Sequence, residues 1–449
     1  MLLIRVNRSK TRYSGETVTW VVTCFRVRSV SIHLITYFAL FRHRLAVNGG
    51  EWAQRFLTAA RCCIEVTVGL CFRLCRVRAQ LKTNLLPLPS VTKLKLRIAL
   101  VGCGKVADQH VGEIQKLNNA CVFAVCDREP LMAEQLAVRY GIAKYYSDFD
   151  RMLEETKPDV VHVTTPPQSH ILLATRALDF GCHVLVEKPL ALDRAAAEHL
   201  INHVVRSGRK MTIGYTYYFD PICRLMRRLI RGGVVGEIVH VESVFGYDLS
   251  GPFGEPILSD REHWVRQLPG KLFHNVIDHL LTKLTEFITD DRPTIHAHAL
   301  PTTNTHDFPD ELRIMILGRR TSGYATFSAH ARPIAHSLTV FGTRNTLHLD
   351  LVSGCMIFSS TPQLPGTIGR LSCAFGQAGQ YFFQGARNVV RFARSEYQYF
   401  AGLNFLFLAF YDSIIHDTPV PIPYNEILRV SACMDEIFDQ LRRSPSPVL

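Results

Sequence analysis

The sequence predicts an α/β protein in which a parallel sheet, covered by helices on both faces, precedes an α+β region built on a largely antiparallel open sheet. Between residues 96 and 215, short apolar runs alternate with segments of helical spacing, which is typical of βαβ units. After residue 215 the apolar runs become longer, alternate in polarity and follow one another closely, which favours antiparallel strands. Before residue 96 neither period is sustained.

Charge divides the chain at the same place. Residues 1–95 hold 16 Lys and Arg against three acids, whereas residues 96–449 hold 35 basic and 36 acidic side chains. The net charge of +12 on this 449-residue chain therefore arises in the first segment. We predict that residues 1–95 are a basic, poorly structured extension, with an organellar transit peptide as the alternative. Residues 96–215 then form the first domain, and residues 216–449 form an α+β domain with C-terminal helices.

Composition argues against several classes of protein. Hydrophobic residues make up 47% of the chain, which suffices for substantial cores. The chain contains no uninterrupted run of eighteen apolar residues, which is about the length needed to span a bilayer, so we expect no membrane partner. The near-neutral body argues against a nucleic-acid partner. Thirteen cysteines are scattered without metal-ligand spacing, so we expect no metal site and a reducing, cytoplasmic location.

The first domain is predicted to alternate five strands with five helices. The strands are expected at Leu96–Val101, Ala120–Cys126, Asp159–Thr164, His183–Val186 and Met211–Tyr215. The helices are expected at Val106–Leu117, Pro130–Tyr140, Asp148–Glu155, Gln168–Phe180 and Ala191–Ser207. Continuous apolar strands of this kind are buried on both faces of a parallel sheet.

The second region is predicted to contain five strands and four helices. The strands are expected at Ile238–Tyr247, Thr294–Ala299, Glu311–Leu317, Gly323–His330 and Ser337–Gly342. The helices are expected at Pro221–Arg231, Asn275–Ile288, Leu403–Ile415 and Tyr424–Leu441.

A glycine-rich turn joins the first predicted strand to the first predicted helix. Its residues, Gly102-Cys103-Gly104-Lys105-Val106-Ala107, follow the G-x-G-x-x-G/A arrangement. Gly102 permits the tight turn, Gly104 lets a pyrophosphate approach the backbone, and Ala107 lets the helix pack on the strand. The helix N-terminus then offers unpaired amides to the phosphates. With its strand and helix context, the turn predicts a Rossmann dinucleotide-binding domain.

An acidic residue ends the second predicted strand, about twenty residues after the turn. Asp127 at this place can hydrogen-bond both ribose hydroxyls of the adenosine half. The neighbouring Arg128 could meet a 2′-phosphate, but Asp127 would repel that phosphate. We therefore expect NAD as cofactor, with NADP as the second choice.

Four runs of sequence resemble the glucose–fructose oxidoreductase and inositol dehydrogenase (Gfo/Idh/MocA) family: GCGKVADQH, CDR, TTPPQSH and VEKP. The resemblance extends from Leu96 to Leu441. It implies that Glu187 and Lys188 lie at the cofactor, with Lys188 beside the nicotinamide and the reacting carbon. It also implies that the Lys188–Pro189 bond is cis.

The resemblance assigns further residues to the two sides of a cofactor cleft. Thr165, Pro166 and His170 match the family's cofactor-lining loop. His279 matches the histidine of a D-x-x-x-H pair in the second domain, and Asn275 stands where the family has aspartate. Residues four apart share one helix face, and a neutral histidine is a suitable general base for a hydroxyl proton. A metal pair of His274 and His279 is disfavoured by its five-residue spacing.

These observations lead to one functional expectation and one alternative to it. The expectation is an NAD(P)-dependent dehydrogenase or reductase that transfers a hydride between the nicotinamide and a carbinol or ketone of a sugar, polyol or sugar derivative. We also expect a homo-oligomer that assembles through the C-terminal sheet. The alternative is a non-catalytic dinucleotide-binding regulator or sensor of the same fold, which Asn275 makes possible.

Overall fold

The structure, a computed structural model, divides into two compact units, residues 1–88 and residues 89–449. The residues that it describes are 3–13, 16–27, 30–36, 95–251, 254–300, 309–362, 364–394 and 401–443.

Three strands are described in the first unit, where we expected little regular structure. They form an antiparallel sheet in the order β1-β2-β3. Their bounds are Leu3–Tyr13, Glu16–Val27 and Val30–Thr36. The Val- and Thr-rich composition of β2 favours strands, and Tyr13 of β1 pairs with Glu16 of β2. The remainder of the predicted extension, residues 37–94, lies outside the described residues.

The second unit begins with a six-stranded parallel sheet, in the order β6-β5-β4-β7-β8-β9. Its strands are β4 (Leu96–Val101), β5 (Ala120–Cys126), β6 (Lys144–Tyr146), β7 (Val160–Val163), β8 (His183–Val186) and β9 (Met211–Ile213). Its helices are α1 (Lys105–Ile114), α2 (Pro130–Tyr140), α3 (Phe149–Thr156), α4 (His170–Asp179) and α5 (Arg194–Ser207). The predicted α/β domain is confirmed, and the short strand β6 is the one element of the sheet that the sequence pattern did not indicate.

Local signals set the ends of these helices. Pro130 is the first residue of α2, and Gly141 ends that helix with φ of 65°. The Asp193 carboxylate accepts a hydrogen bond from the Ala196 backbone N–H at the start of α5, and Gly208 ends the helix with φ of 66°. Such caps satisfy the orphan backbone groups of a helix.

The strand order reverses at β4, which lies between β5 and β7. In an open parallel sheet, ligands bind beyond the carboxyl ends of the strands at such a reversal. Backbone hydrogen bonds to the adjacent strands hold the first residues of the loops that follow the strands. The backbone N–H groups of Gly102, Thr164, Glu187 and Gly214 each donate to a carbonyl near the end of the adjacent strand.

The second sheet has seven strands in the order β11-β12-β13-β10-β14-β15-β16. The strands are β10 (Ile238–Gly246), β11 (Thr294–Leu300), β12 (Glu311–Leu317), β13 (Ser322–Ser328), β14 (Ala335–Gly342), β15 (Asn345–Asp350) and β16 (Cys355–Ser360). Every neighbouring pair is antiparallel except β10 and β13. The predicted largely antiparallel sheet is therefore confirmed, with β15 and β16 in addition to the expected strands.

Seven helices accompany this sheet among the described residues. They are α6 (Pro221–Arg231), α7 (Glu255–Ser259), α8 (Lys271–Val276), α9 (Asp278–Thr285), α10 (Gly366–Ala393), α11 (Ala401–Ile415) and α12 (Tyr424–Arg443). Helix α9 packs on β10 and β13, and α12 packs on β11. The single helix predicted over Asn275–Ile288 is instead the pair α8 and α9, which meet at Ile277. None of the described helices is both long and apolar enough to cross a membrane.

Candidate functional site

The glycine-rich turn has the backbone geometry that a phosphate-binding turn requires. Gly102 has φ of 93°, and a Cβ there would lie 2.7 Å from the Thr165 backbone nitrogen. Gly104 caps α1, and a Cβ on it would meet nothing within 4 Å. The space before the helix is therefore open, while the turn itself is closed to larger residues. Lys105 and Val106 are exposed at the start of α1, and Ala107 is fully buried against the sheet.

Asp127 is fixed at the end of β5 by two backbone donors. Its Oδ2 accepts a hydrogen bond from Cys103 N at 2.7 Å, and its Oδ1 accepts one from Glu129 N at 3.0 Å. Each carboxylate oxygen has a second lone pair, so the group can still accept bonds from ribose hydroxyls. Arg128 beside it is exposed.

The loop after β7 is tied to the glycine turn. The Thr164 hydroxyl donates to Gly102 O at 2.6 Å, and the Ser169 hydroxyl donates to Thr165 Oγ1 at 2.7 Å. Pro166 is exposed. His170, which we expected at the cofactor, is fully buried, and its ring nitrogens lie 2.8 Å from Thr165 O and Pro189 O. Its visible role is to join these two loops.

Glu187 begins a buried chain of hydrogen bonds that runs to α11. Its Oε1 lies 3.0 Å from His110 Nε2, His110 Nδ1 lies 2.9 Å from His162 Nδ1, and His162 Nε2 lies 2.9 Å from Tyr411 Oη. Burial alone would raise the pKa of Glu187, but the His110 bond and the Lys188 charge hold that pKa below its usual value. Burial places the pKa of His162 well below its usual value.

With Glu187 ionised, its carboxylate accepts the hydrogen bond from His110 Nε2. The contacts of His110 with His162 and of His162 with Tyr411 continue this chain into the C-terminal helices. Three of these residues were not predicted as site residues, although His110 lies within the GCGKVADQH run. The partnership of His162 with Tyr411, 249 positions apart, has no local signal in the sequence.

Lys188 reaches from the end of β8 to the second domain. The Lys188–Pro189 bond is cis, as the resemblance implied. The ammonium donates to Asn275 O at 2.8 Å and lies 3.4 Å from Asn275 Oδ1. Burial lowers the pKa of Lys188, while the carboxylates of Glu187 and Asp278 oppose that shift. Two predicted catalytic residues, distant in sequence, are thus in direct contact.

His279 follows in α9 among aromatic rings. Its ring centroid lies 4.9 Å from that of Phe245 and 6.2 Å from that of His336. Burial and the nearby ammonium groups of Lys188 and Lys283 place the pKa of His279 well below its usual value. The imidazole is therefore neutral.

Asp278 is a site residue that the sequence analysis did not assign, although its spacing of three residues from Asn275 would place both on one helix face. The structure buries it close enough to Lys188 for the two charges to interact. Its Oδ1 accepts a bond from the Tyr215 hydroxyl at 3.1 Å, and its buried Oδ2 has no hydrogen-bond partner. Burial raises the pKa of Asp278 to about 6.

Lys283 lies one turn beyond His279 and is completely buried. Its ammonium donates to the Ser243 hydroxyl at 3.3 Å, and burial lowers its pKa to about 7. The spacing of four residues from His279 is the signal that could have indicated it.

Tyr218 donates its hydroxyl to Thr282 O at 3.2 Å, within the packing against α9.

Residues 96–215 match a family model described as an oxidoreductase family with an NAD-binding Rossmann fold. This match confirms the resemblance inferred from the four sequence runs. Residues 96–215 are therefore similar to the NAD-binding domain of the Gfo/Idh/MocA oxidoreductases.

Curated relatives are similar over the same region. The D-glucoside 3-dehydrogenase of Escherichia coli is 34% identical over 150 residues, which cover 33% of this chain and 43% of that protein. An inositol 2-dehydrogenase/D-chiro-inositol 3-dehydrogenase of Lactiplantibacillus plantarum is 29% identical over 144 residues, 31% of this chain and 41% of that protein. The matched region therefore spans less than half the length of these relatives.

Solved structures resemble the chain over a longer stretch. The WlbA dehydrogenase of Bordetella pertussis, solved with NADH and UDP-GlcNAcA, has a TM-score of 0.63 at 18% identity, covering 79% of this chain and 97% of that one. An oxidoreductase of Agrobacterium radiobacter, solved with NAD+, L-tartaric acid and magnesium, has a TM-score of 0.60 at 16% identity, covering 77% and 96%. This likeness concerns the fold, and it extends through both sheets of the second unit.

Proposed function

We propose that this protein is an NAD(P)-dependent dehydrogenase or reductase that transfers a hydride between the nicotinamide and a carbinol or ketone of a sugar, polyol or sugar derivative. The contact of Lys188 with Asn275 carries the proposal. It places an ammonium group between the carboxyl edge of the parallel sheet and the helix that bears His279. An oxidoreductase that uses a dinucleotide needs its charge-stabilising group at this edge.

The residues around the glycine turn fit a dinucleotide. The open space before Gly104 and the first amides of α1 would hold the pyrophosphate. The remaining lone pairs of Asp127 would hold the ribose hydroxyls, which favours NAD over NADP. When bound, the nicotinamide supplies or accepts the hydride.

Lys188 and His279 have complementary roles in this proposal. An ammonium has three donors, so Lys188 keeps at least one for a substrate oxygen while it donates to Asn275. That hydrogen bond stabilises negative charge on the oxygen in either direction of the reaction. Neutral His279 accepts the hydroxyl proton during oxidation and returns it during reduction.

The unpaired polar atoms on the second-domain side support a hydroxyl-rich substrate. Asp278 Oδ2 and His336 Nε2 are both buried without hydrogen-bond partners. Leaving such groups unpaired is costly, and the hydroxyls of a sugar or polyol would supply the missing partners.

One observation favours a non-catalytic dinucleotide-binding regulator as the second candidate. Asn275 can orient a neighbouring group by hydrogen bonding, but it cannot stabilise an imidazolium by charge as aspartate does. Turnover separates the two candidates, because a regulator binds the dinucleotide without oxidising or reducing any partner.

The proposal extends to location and assembly. The eight cysteines among the described residues after residue 94 are free thiols, which supports a reducing cytoplasm. One face of the second sheet is covered by α9 and α12. Tyr324, on the other face, is 45% exposed, which supports assembly of identical chains through that face.

The test is NADH oxidation by the full chain with a panel of keto-sugars and ketopolyols, and NAD+ reduction with the corresponding alcohols. With any substrate that turns over, Lys188→Met should lower the chemical step by about 10²–10³ and change the dissociation constant for NADH much less. Lys157→Met, at an exposed lysine after α3, is the matched control. Normal turnover of the Lys188 variant would refute its role, and dinucleotide binding without turnover across the panel would favour the regulator.

A further inference from the structure

Helix α10 covers the edge of the second sheet with side-chain amides. The Gln380 amide donates to Phe358 O at 2.9 Å and accepts from Phe358 N at 2.8 Å. The Gln384 amide makes the same pair of bonds with Met356, at 2.6 Å to its oxygen and 2.8 Å from its nitrogen. Two glutamines thus satisfy the edge strand β16 as a further strand would. The polar face of α10 therefore packs against the sheet.

The opposite face of α10 is apolar and exposed. At about 100° per residue, five large side chains fall within about 60° of one another on the side away from Gln384. They are Ile368, Leu371, Phe375, Phe382 and Val389. Phe375 and Val389 are each 68% exposed. This stripe is the reverse of an ordinary surface helix, whose apolar face points to the core.

The charged side chains of α10 are all of one sign. Residues 366–394 contain no Asp or Glu and four arginines, of which Arg370, Arg387 and Arg394 are exposed. On the same angular scale Arg391 lies on the face that packs on the sheet, and Arg370, Arg387 and Arg394 lie to either side of it, about 80–100° from the nearest side chain of the apolar stripe. An apolar face with cations on the remaining surface is typical of helices that lie in the plane of a membrane surface.

We propose that α10 docks on an anionic phospholipid surface, with its apolar stripe in the acyl boundary and its arginines at the headgroups. Charge complementarity favours this occupant, because residues 366–394 carry four arginines and no acidic side chain. The expectation of no membrane partner was based on the lack of a spanning segment, and a helix that lies in the surface does not span. The docking is independent of the proposed oxidoreductase activity.

The experiment measures co-sedimentation of the full chain with vesicles of phosphatidylcholine alone and of phosphatidylcholine with phosphatidylglycerol. We expect binding to the anionic vesicles, weakened by salt. Phe375→Glu with Phe382→Glu should lower the partition coefficient by at least about tenfold for each phenylalanine. Val138→Glu, at an equally exposed apolar residue of α2, should leave it unchanged.

A second measurement reports insertion directly. The tryptophan fluorescence of the Phe375→Trp variant, after subtraction of the fluorescence of the unmodified chain, should shift to shorter wavelength when anionic vesicles are added. Binding that survives the double substitution would assign it to another segment, such as the basic residues 1–95, and overturn the proposal. Loss of an oligomer on the double substitution, without vesicle binding by the unmodified chain, would overturn it in favour of a second copy.

Discussion

The two sides of the candidate site differ in how completely their polar groups are paired. On the parallel-sheet side, Asp127, Glu187 and His170 each have two hydrogen-bond partners. On the helix side, Asp278 Oδ2 and His336 Nε2 are buried without partners. An unpaired buried group costs about 1–3 kcal/mol. The polar groups named on the first side are therefore paired before a ligand binds, whereas those on the second side gain their partners from the ligand.

The largest effect should come from the helix side. His279→Ala should lower the rate of the chemical step by about 10²–10⁴, because a general base is lost. The measurement is single-turnover kinetics with a substrate from the panel. His296→Ala, at an exposed histidine of β11, is the control. A full rate in the His279 variant would mean that the proton goes elsewhere.

A pH-dependent stability effect should come from Asp278. Its pKa in the folded chain, about 6, lies above the ordinary value of 3.8, so folding favours the neutral carboxyl. The cost of ionising it is absent below about pH 4 and grows as the pH rises through about 6. Asp278→Asn should therefore stabilise the protein at about pH 8, by about 2–3 kcal/mol, and leave it unchanged at low pH.

Urea unfolding at both pH values measures this effect, with the exposed Asp291→Asn as the matched control. Equal stabilisation at both pH values would show that the carboxyl is not held neutral, and the contrast between the two sides of the site would weaken.

A smaller effect should come from the paired side. Asp127→Ser should shift the NADH-to-NADPH affinity ratio toward NADPH by about tenfold or more, because the charge that opposes a 2′-phosphate is removed. Glu129→Ser removes an exposed acid two residues away and should not change the ratio. Equal affinities for the two cofactors in the unmodified chain would contradict the role of Asp127.

The smallest effect should come from the first segment. A chain that begins at Val91 should bind NADH as tightly as the full chain, because the parallel sheet begins at Leu96. Fluorescence titration of both chains measures this. A loss of affinity or of solubility on truncation would make residues 1–90 part of the domain.

The parallel-sheet side was largely predictable because its determinants are local. The turn at Gly102 and the proline after Lys188 impose their backbone geometry over a few residues, so the sequence shows them directly. The bounds of β4 and α2 coincide with the predicted ones for the same reason. Hydrophobic periodicity and capping residues act within single elements.

The helix side was less predictable because its determinants are long-range. A continuous helix was predicted over Asn275–Ile288, whereas the structure has the two helices α8 and α9 there. Helix α10 escaped prediction because its apolar residues remain exposed, whereas pattern reasoning assumes that they are buried. Both outcomes depend on packing against distant strands.

The bond between His162 and Tyr411 limits how the chain can be divided. Residues 96–215 look like a self-contained unit by sequence, but they bury two histidines, His110 of α1 and His162 of β7, whose hydrogen-bond chain ends on α11. Cut from the C-terminal helices, the isolated segment would leave His162 Nε2 without its partner and open the packing of Phe407 against both imidazoles. A chimera with a relative would therefore have to exchange α11 together with the dinucleotide-binding half. The structural unit that can be exchanged is thus discontinuous along the chain.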